Sequence, residues 1–171
     1  RAPIGAMQGL APEHVVYAGT ASKTLAPGLR LGWLVAPTHL VDDIAEAKAL
    51  ADRGSPVLDQ LAFADFLARG EFDHHLRRMR PVYRARRDTL LAAIEQHLPG
   101  FEPCGASAGL HVIAWLPPGM DETWIVESVA AEGVALTGLA RYHDDPATAR
   151  QGLLFGYGRV TESEIEEGIR I

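Results

Sequence analysis

The chain has 171 residues, 47% apolar and 22% charged, with a formal net charge of −6. These values suit a soluble globular fold with volume for a core, and the acidic balance disfavours bulk electrostatic binding of nucleic acid. No apolar run reaches the roughly 18 residues that a membrane helix needs, so no membrane association is expected.

No signal-peptide pattern opens the chain, and the single cysteine, Cys104, excludes an internal disulfide framework. Both features predict a reducing, cytoplasmic setting. The chain opens at Arg1 in Pro/Gly-rich sequence and stops at Ile171 inside a helical pattern. Native helices usually finish with a cap or a polar tail, so a piece of a longer protein is expected.

Residues 14–18 (HVVYA) and 31–36 (LGWLVA) are short apolar runs, which predict strands buried on both faces beneath helices. Pro37-Thr38 introduces a predicted helix with Thr38 as N-cap and Leu40, Val41, Ile44 and Ala45 along one side. The stretch 52–56 (DRGSP) breaks it, and Pro56 suits the first turn of a helix ending near Gly70. Residues 71–98 are again helical in pattern, and Pro81 is predicted to kink or divide them. Residues 110–116 (LHVIAWL) read as a strand, 121–132 as a helix stopped by Gly133, and 134–136 as a short strand. After a polar loop over 141–150, residues 153–157 form the last predicted strand, and a helix ends the chain. The order is mixed α/β. A composition shift near Gly70 predicts a boundary there, with a helical hairpin leading into a smaller βαβ-like unit.

The chemistry concentrates in residues 19–33 (GTASKTLAPGLRLGW), between two predicted strands. Lys23 is one of only two lysines in the chain. A lysine in a small-residue turn beside a strand is what a Schiff-base enzyme needs, because its amine must reach a carbonyl. Thr20 and Ser22 offer hydroxyls, the Gly-flanked turn offers backbone amides for a phosphate, and Arg30 supplies a bidentate phosphate partner. From composition alone, the same lysine better fits an ordinary solvent-facing loop residue, since Gly-rich turns with a lysine are common.

The pattern Ser-Lys-x-Leu-x-Pro-x-Leu-Arg-x-Gly resembles the pyridoxal-phosphate lysine motif of fold-type I aminotransferases. With the later SPVLDQLAFADFL and HLRRMRPVYRARRDTL, it resembles more narrowly the MocR subgroup of GntR-type bacterial transcription regulators. Those proteins join an N-terminal winged-helix DNA-binding domain to an aminotransferase-like domain that binds pyridoxal phosphate and senses an effector. The resemblance implies a partial fold-type I α/β architecture. Residues 1–70 would close the large cofactor-binding domain, and residues 71–171 would form the small C-terminal domain. It also implies that Lys23 holds the cofactor covalently, and that Ser22, Arg30 and Thr20 hold its phosphate. A homodimer with a small amino compound as effector or substrate follows, with DNA contacted only through a domain absent from this chain. The alternative is an active class I/II aminotransferase moving an amino group between an amino acid and a 2-keto acid.

Two departures from the family pattern bear on activity. The arginine that usually binds the substrate α-carboxylate is replaced by Leu154, with Arg159, Arg150 and Tyr142 as substitute substrate contacts. The aspartate that pairs with the pyridine nitrogen, and the ring-stacking residue, lie upstream of the lysine in the family and are not in this chain. Without the nitrogen partner the ring is a weaker electron sink, so the chain by itself is expected to be a poor catalyst.

The remaining signals read more plainly. Six arginines between Arg77 and Arg87 form either a nucleic-acid contact or, in better accord with the acidic balance, a solvated helix face. The adjacent His74 and His75 point about 100° apart on a helix, which argues against a shared metal. Cys104 reads as an incidental small apolar residue, His111 as a packed histidine, and Ser55 as a helix N-cap or a contact to a neighbouring subunit's cofactor.

Overall fold

The computed structural model describes residues 5–105, 109–145 and 149–171. The chain separates into two compact units, Arg1–Leu76 and Arg77–Ile171.

In the first unit, β1 (Tyr17–Thr20) and β2 (Gly32–Val35) pair antiparallel, with Tyr17 opposite Val35 and Thr20 opposite Gly32. The expected burial on both faces is not found in this chain: Leu34 is 56% exposed. The pair meets at its middle through a close approach, since a Cβ on Gly19 would stand 2.3 Å from Cε2 of Trp33. Only glycine admits the indole there. Trp33 stacks on Phe63 at 6.2 Å, and Phe63 meets Phe72 edge-on at 5.8 Å.

Helix α1 (Val41–Asp52) follows a 3-10 turn over Thr38–Leu40, and Leu40 takes the N-cap position. Thr38 therefore lies inside that turn and makes no cap hydrogen bond, which corrects the sequence expectation. Arg53 ends α1 in the left-handed region (φ 53°), and Gly54 at φ 123° carries the chain away. Helix α2 (Val57–Ala68) starts after Pro56, the N-cap itself, so Ser55 is not the cap.

Helix α3 (Glu71–His97) is a single 27-residue element that runs through Pro81. The proline does not divide it. Pro81 is exposed, so its ring stands on the solvent side of the helix, and the helix continues on both sides of it.

The second unit is a sheet ordered β3-β4-β6-β5, from β3 (Glu102–Cys104), β4 (His111–Trp115), β5 (Thr137–Gly138) and β6 (Gly152–Gly156). Every pairing is antiparallel. β4 and β5 both run antiparallel to the β6 that lies between them and hence parallel to each other, so β4, α4 (Glu122–Ala131) and β5 form a split βαβ unit.

Alternation along β4 and β6 turns Val112, Ala114, Leu153 and Phe155 inward, against Leu90, Ala93 and Ile94 of α3 and Ile165 and Ile169 of α5 (Glu162–Arg170). Ile94, Leu153 and Val112 are fully buried, each stabilising the unit by about 1.5–3 kcal/mol. Asp121 caps α4 by accepting from the N–H groups of Thr123 (2.8 Å) and Trp124 (3.2 Å). Thr161 and Glu164 close a reciprocal capping box on α5.

Candidate functional site

The turn that leaves β1 is folded by its own short side chains. Thr20 Oγ1 donates to the Leu31 carbonyl (3.0 Å) and accepts from the Ser22 N–H (3.1 Å). Ala21 is fully buried and its N–H donates to the same Leu31 carbonyl (3.0 Å). The Leu25 N–H donates to the Ala21 carbonyl at 2.9 Å, and the Thr24 hydroxyl donates to it at 3.3 Å. His75, from the first turns of α3, lies with Nε2 3.0 Å from the Thr24 carbonyl. Small residues and hydroxyls are needed here because the turn must satisfy its backbone groups within a few residues.

Lys23 projects from this turn and is exposed. The pairing of Thr20 with Gly32 closes the loop, so Ser22 and Arg30 stand at the same end of the hairpin. Arg30 is held at φ 50°, a left-handed conformation that costs a non-glycine residue about 1 kcal/mol, and its N–H donates to the Pro27 carbonyl. Among the described residues, no ion pair or side-chain hydrogen bond engages Lys23, the Ser22 hydroxyl or Arg30. That leaves an amine, a hydroxyl and a guanidinium for an anionic group bearing a carbonyl. The Thr20 hydroxyl is already engaged with Leu31 and Ser22, which gives it the part of a clasp in the turn.

The three substrate candidates lie in the second unit. The Arg150 guanidinium forms an ion pair with Glu102 and lies 4.8 Å over the Trp115 ring. Tyr142 is exposed beside the Arg141 guanidinium, 5.8 Å from its ring. Arg159 is exposed, just beyond β6. Leu154 is half-buried on β6, opposite Ile113 and Thr137.

Other signals resolve into structure. Ser55 hydrogen bonds with Lys48 and Asp52. Within the arginine cluster, Arg86 donates to the Gly158 carbonyl (3.0 Å) and Arg87 pairs with Asp88. Cys104 is a half-buried free thiol, and His111 is exposed on β4. Two residues carry more than the sequence signals: His75 reads there only as one of an adjacent histidine pair, and Glu122 carries no signal at all. Both act on backbone groups distant in sequence, which no local spacing reveals.

The family described as Aminotransferase class I and II matches residues 3–152. The chain belongs to that family. Among curated relatives, the HTH-type transcriptional regulator YhdI of Bacillus subtilis is 36% identical over 98% of this chain and 36% of its own length. The probable rhizopine catabolism regulatory protein MocR of Rhizobium meliloti is 33% identical over 98% of this chain and 34% of its own length. The chain thus spans about a third of the length of these relatives. Among solved structures, the multiple substrate aminotransferase of Thermococcus profundus matches with a TM-score of 0.83 at 32% identity. That match covers 91% of this chain and 39% of the other. A kynurenine aminotransferase of Pyrococcus horikoshii, solved with PMP, matches with a TM-score of 0.85 at 28% identity over 94% of this chain and 40% of the other. The α/β aminotransferase fold, present in part, is therefore established for this chain.

Proposed function

We propose that this chain is the lysine- and phosphate-bearing part of an aminotransferase-like module, which binds pyridoxal 5'-phosphate and senses an amino compound for an attached DNA-binding domain. The observation that carries this reading is that HTH-type regulators align with it over 98% of its length. Leu154, at the place of the family's carboxylate arginine, favours sensing over turnover, because an unpartnered substrate carboxylate is costly to bury.

In this reading residues 1–70 close the large domain and residues 71–171 form the small one. When bound, pyridoxal phosphate supplies an electrophilic aldehyde and an electron sink. Lys23 takes the aldehyde, the Ser22 hydroxyl and the Arg30 guanidinium take the phosphate, and Thr20 shapes the turn that presents them. Arg159, free of an ion pair among the described residues, is the first candidate for an effector carboxylate, ahead of Arg150, which Glu102 already engages. Tyr142 and a homodimeric partner complete the effector side.

In the longer protein that contains this chain, added pyridoxal phosphate should give the absorbance band of a lysine-bound cofactor, lost in Lys23→Ala. A band that survives Lys23→Ala overturns the site. Operator binding that responds to an amino compound, without half-transamination across an amino-acid panel, is the expected outcome. Ready half-transamination and no DNA-binding domain would instead establish the active aminotransferase.

A further inference from the structure

The turn that presents Lys23 is tied internally between residues 20 and 31, but one tie comes from far away in sequence. His75 Nε2 lies 3.0 Å from the carbonyl oxygen of Thr24, across 51 residues, and both residues are half-buried. A carbonyl only accepts, so Nε2 carries the proton and donates. Thr24 follows Lys23 directly, which places the anchored residue's Cα about 3.8 Å from the Lys23 Cα. His74, next to it in sequence, is exposed, and His75 turns inward to the hairpin. Metal ligation does not explain this placement, since among the described residues no group of three His, Cys, Asp or Glu side chains gathers.

We propose that His75 is a positioning residue for Lys23, holding the Thr24 carbonyl so that the lysine amine is delivered to the cofactor aldehyde. This inference rests on the reading of Lys23 given above. The lysine stem is long and flexible, so the direction of its first bond decides how often Nζ reaches the carbonyl carbon. The hydrogen bonds internal to the turn fix its shape, whereas the one from His75 fixes its peptide planes against α3. In the capture step Lys23 Nζ bonds the aldehyde carbon, and the aldehyde oxygen leaves as water with the two amine protons. A loss of alignment slows that step without weakening the encounter, because Ser22 and Arg30 grip the phosphate independently.

The test uses the full-length protein that contains this chain, stripped of cofactor, with pyridoxal phosphate as the probe and stopped-flow absorbance as the readout. His75→Phe keeps the ring volume and removes the donor, while His75→Gln keeps an N–H donor. Tyr157→Phe is the control, because it deletes the Tyr157 hydroxyl's hydrogen bond to the Gly109 carbonyl (2.7 Å) in the other unit. The limiting capture rate at saturating cofactor should fall about 10- to 100-fold in His75→Phe, with the half-saturation concentration changed less than about threefold. His75→Gln should recover most of the rate, and Tyr157→Phe should capture at the wild-type rate. Borohydride trapping and mass spectrometry should place the adduct on Lys23 in every variant. A wild-type limiting rate in His75→Phe, a His75→Gln as slow as His75→Phe, or an equal slowing in Tyr157→Phe overturns the positioning role alone. If wild-type protein forms no adduct at Lys23, the cofactor reading and the positioning role fall together.

Discussion

Glu122 is only 5% exposed, and backbone donors occupy both its carboxyl oxygens. Oε2 accepts from the N–H groups of Gly152 (2.9 Å) and Leu139 (3.2 Å), and Oε1 from that of Ala140 (2.8 Å). One side chain at the start of α4 thus ties the end of β5 to the start of β6. Glu122→Ala leaves the Ala140 and Gly152 N–H groups without this acceptor, each worth about 1–3 kcal/mol when buried and unpaired, while the Leu139 N–H keeps the Gly152 carbonyl (2.9 Å). A destabilisation of about 3–5 kcal/mol is expected, read as a fall in the urea midpoint at unchanged slope. A loss under about 1 kcal/mol would mean that water enters and replaces the carboxylate. At this scale the sequence exposes only what is local. Ser22, Lys23 and Arg30 were legible because the motif that binds them spans a single hairpin. Glu122 and His75 were not, since their partners lie 17 or more residues away and are backbone atoms that carry no side-chain signature.

Among the elements, the end of α1 shows how a short-range cluster sets a titration. The Lys48 ammonium hydrogen bonds to Asp52, with the Gly54 N–H (2.9 Å) and the Ser55 hydroxyl adding to it. These contacts hold the Asp52 carboxyl at about 2, against an ordinary 3.8. Because the folded value is the lower one, this cluster's contribution to stability is complete above about pH 4 and disappears as the pH falls through 2. Lys48→Ala removes the largest cause and should bring the Asp52 midpoint back toward 3.8, measured by NMR of its carboxyl carbon. An unmoved midpoint would assign the shift to the Gly54 N–H instead. The helices were legible from their periodicity, but α3 was expected to kink or divide at Pro81, because the rule counts one lost hydrogen bond and not the many others of a 27-residue helix. The edge strand β3 was missed because three residues with Pro103 at their centre resemble a turn. Only at a sheet edge does such a strand survive. The Thr161–Glu164 box that starts α5 could have been read from its spacing.

At the scale of the whole molecule, the two units differ in what holds them. The hydrophobic core cluster and every residue packed on it lie between Tyr83 and Ile169, all within the second unit. In the first unit the buried residues among those described are the small Ala21 and Pro37, while Leu34, Leu58 and Leu61 are more than half exposed. Apolar surface stabilises a fold only when it leaves water, so the free energy of the two units must be unequal. The sequence could not show this, because LGWLVA reads as a buried strand whether or not its cover belongs to the same chain. Hydrogen exchange on the 171-residue chain should therefore find protection concentrated in β4, β6, α5 and the Leu90–Ile94 stretch of α3. Amides of β1, β2 and α2 should exchange close to unfolded rates. In a longer protein that covers the exposed faces of β1 and β2, those same amides should slow by several orders of magnitude, and the Lys23 hairpin with them. Equal protection of β1 and β4 in the isolated chain would show instead that the hairpin, clasped by Thr20 and tied to α3 by His75, holds its shape without that cover.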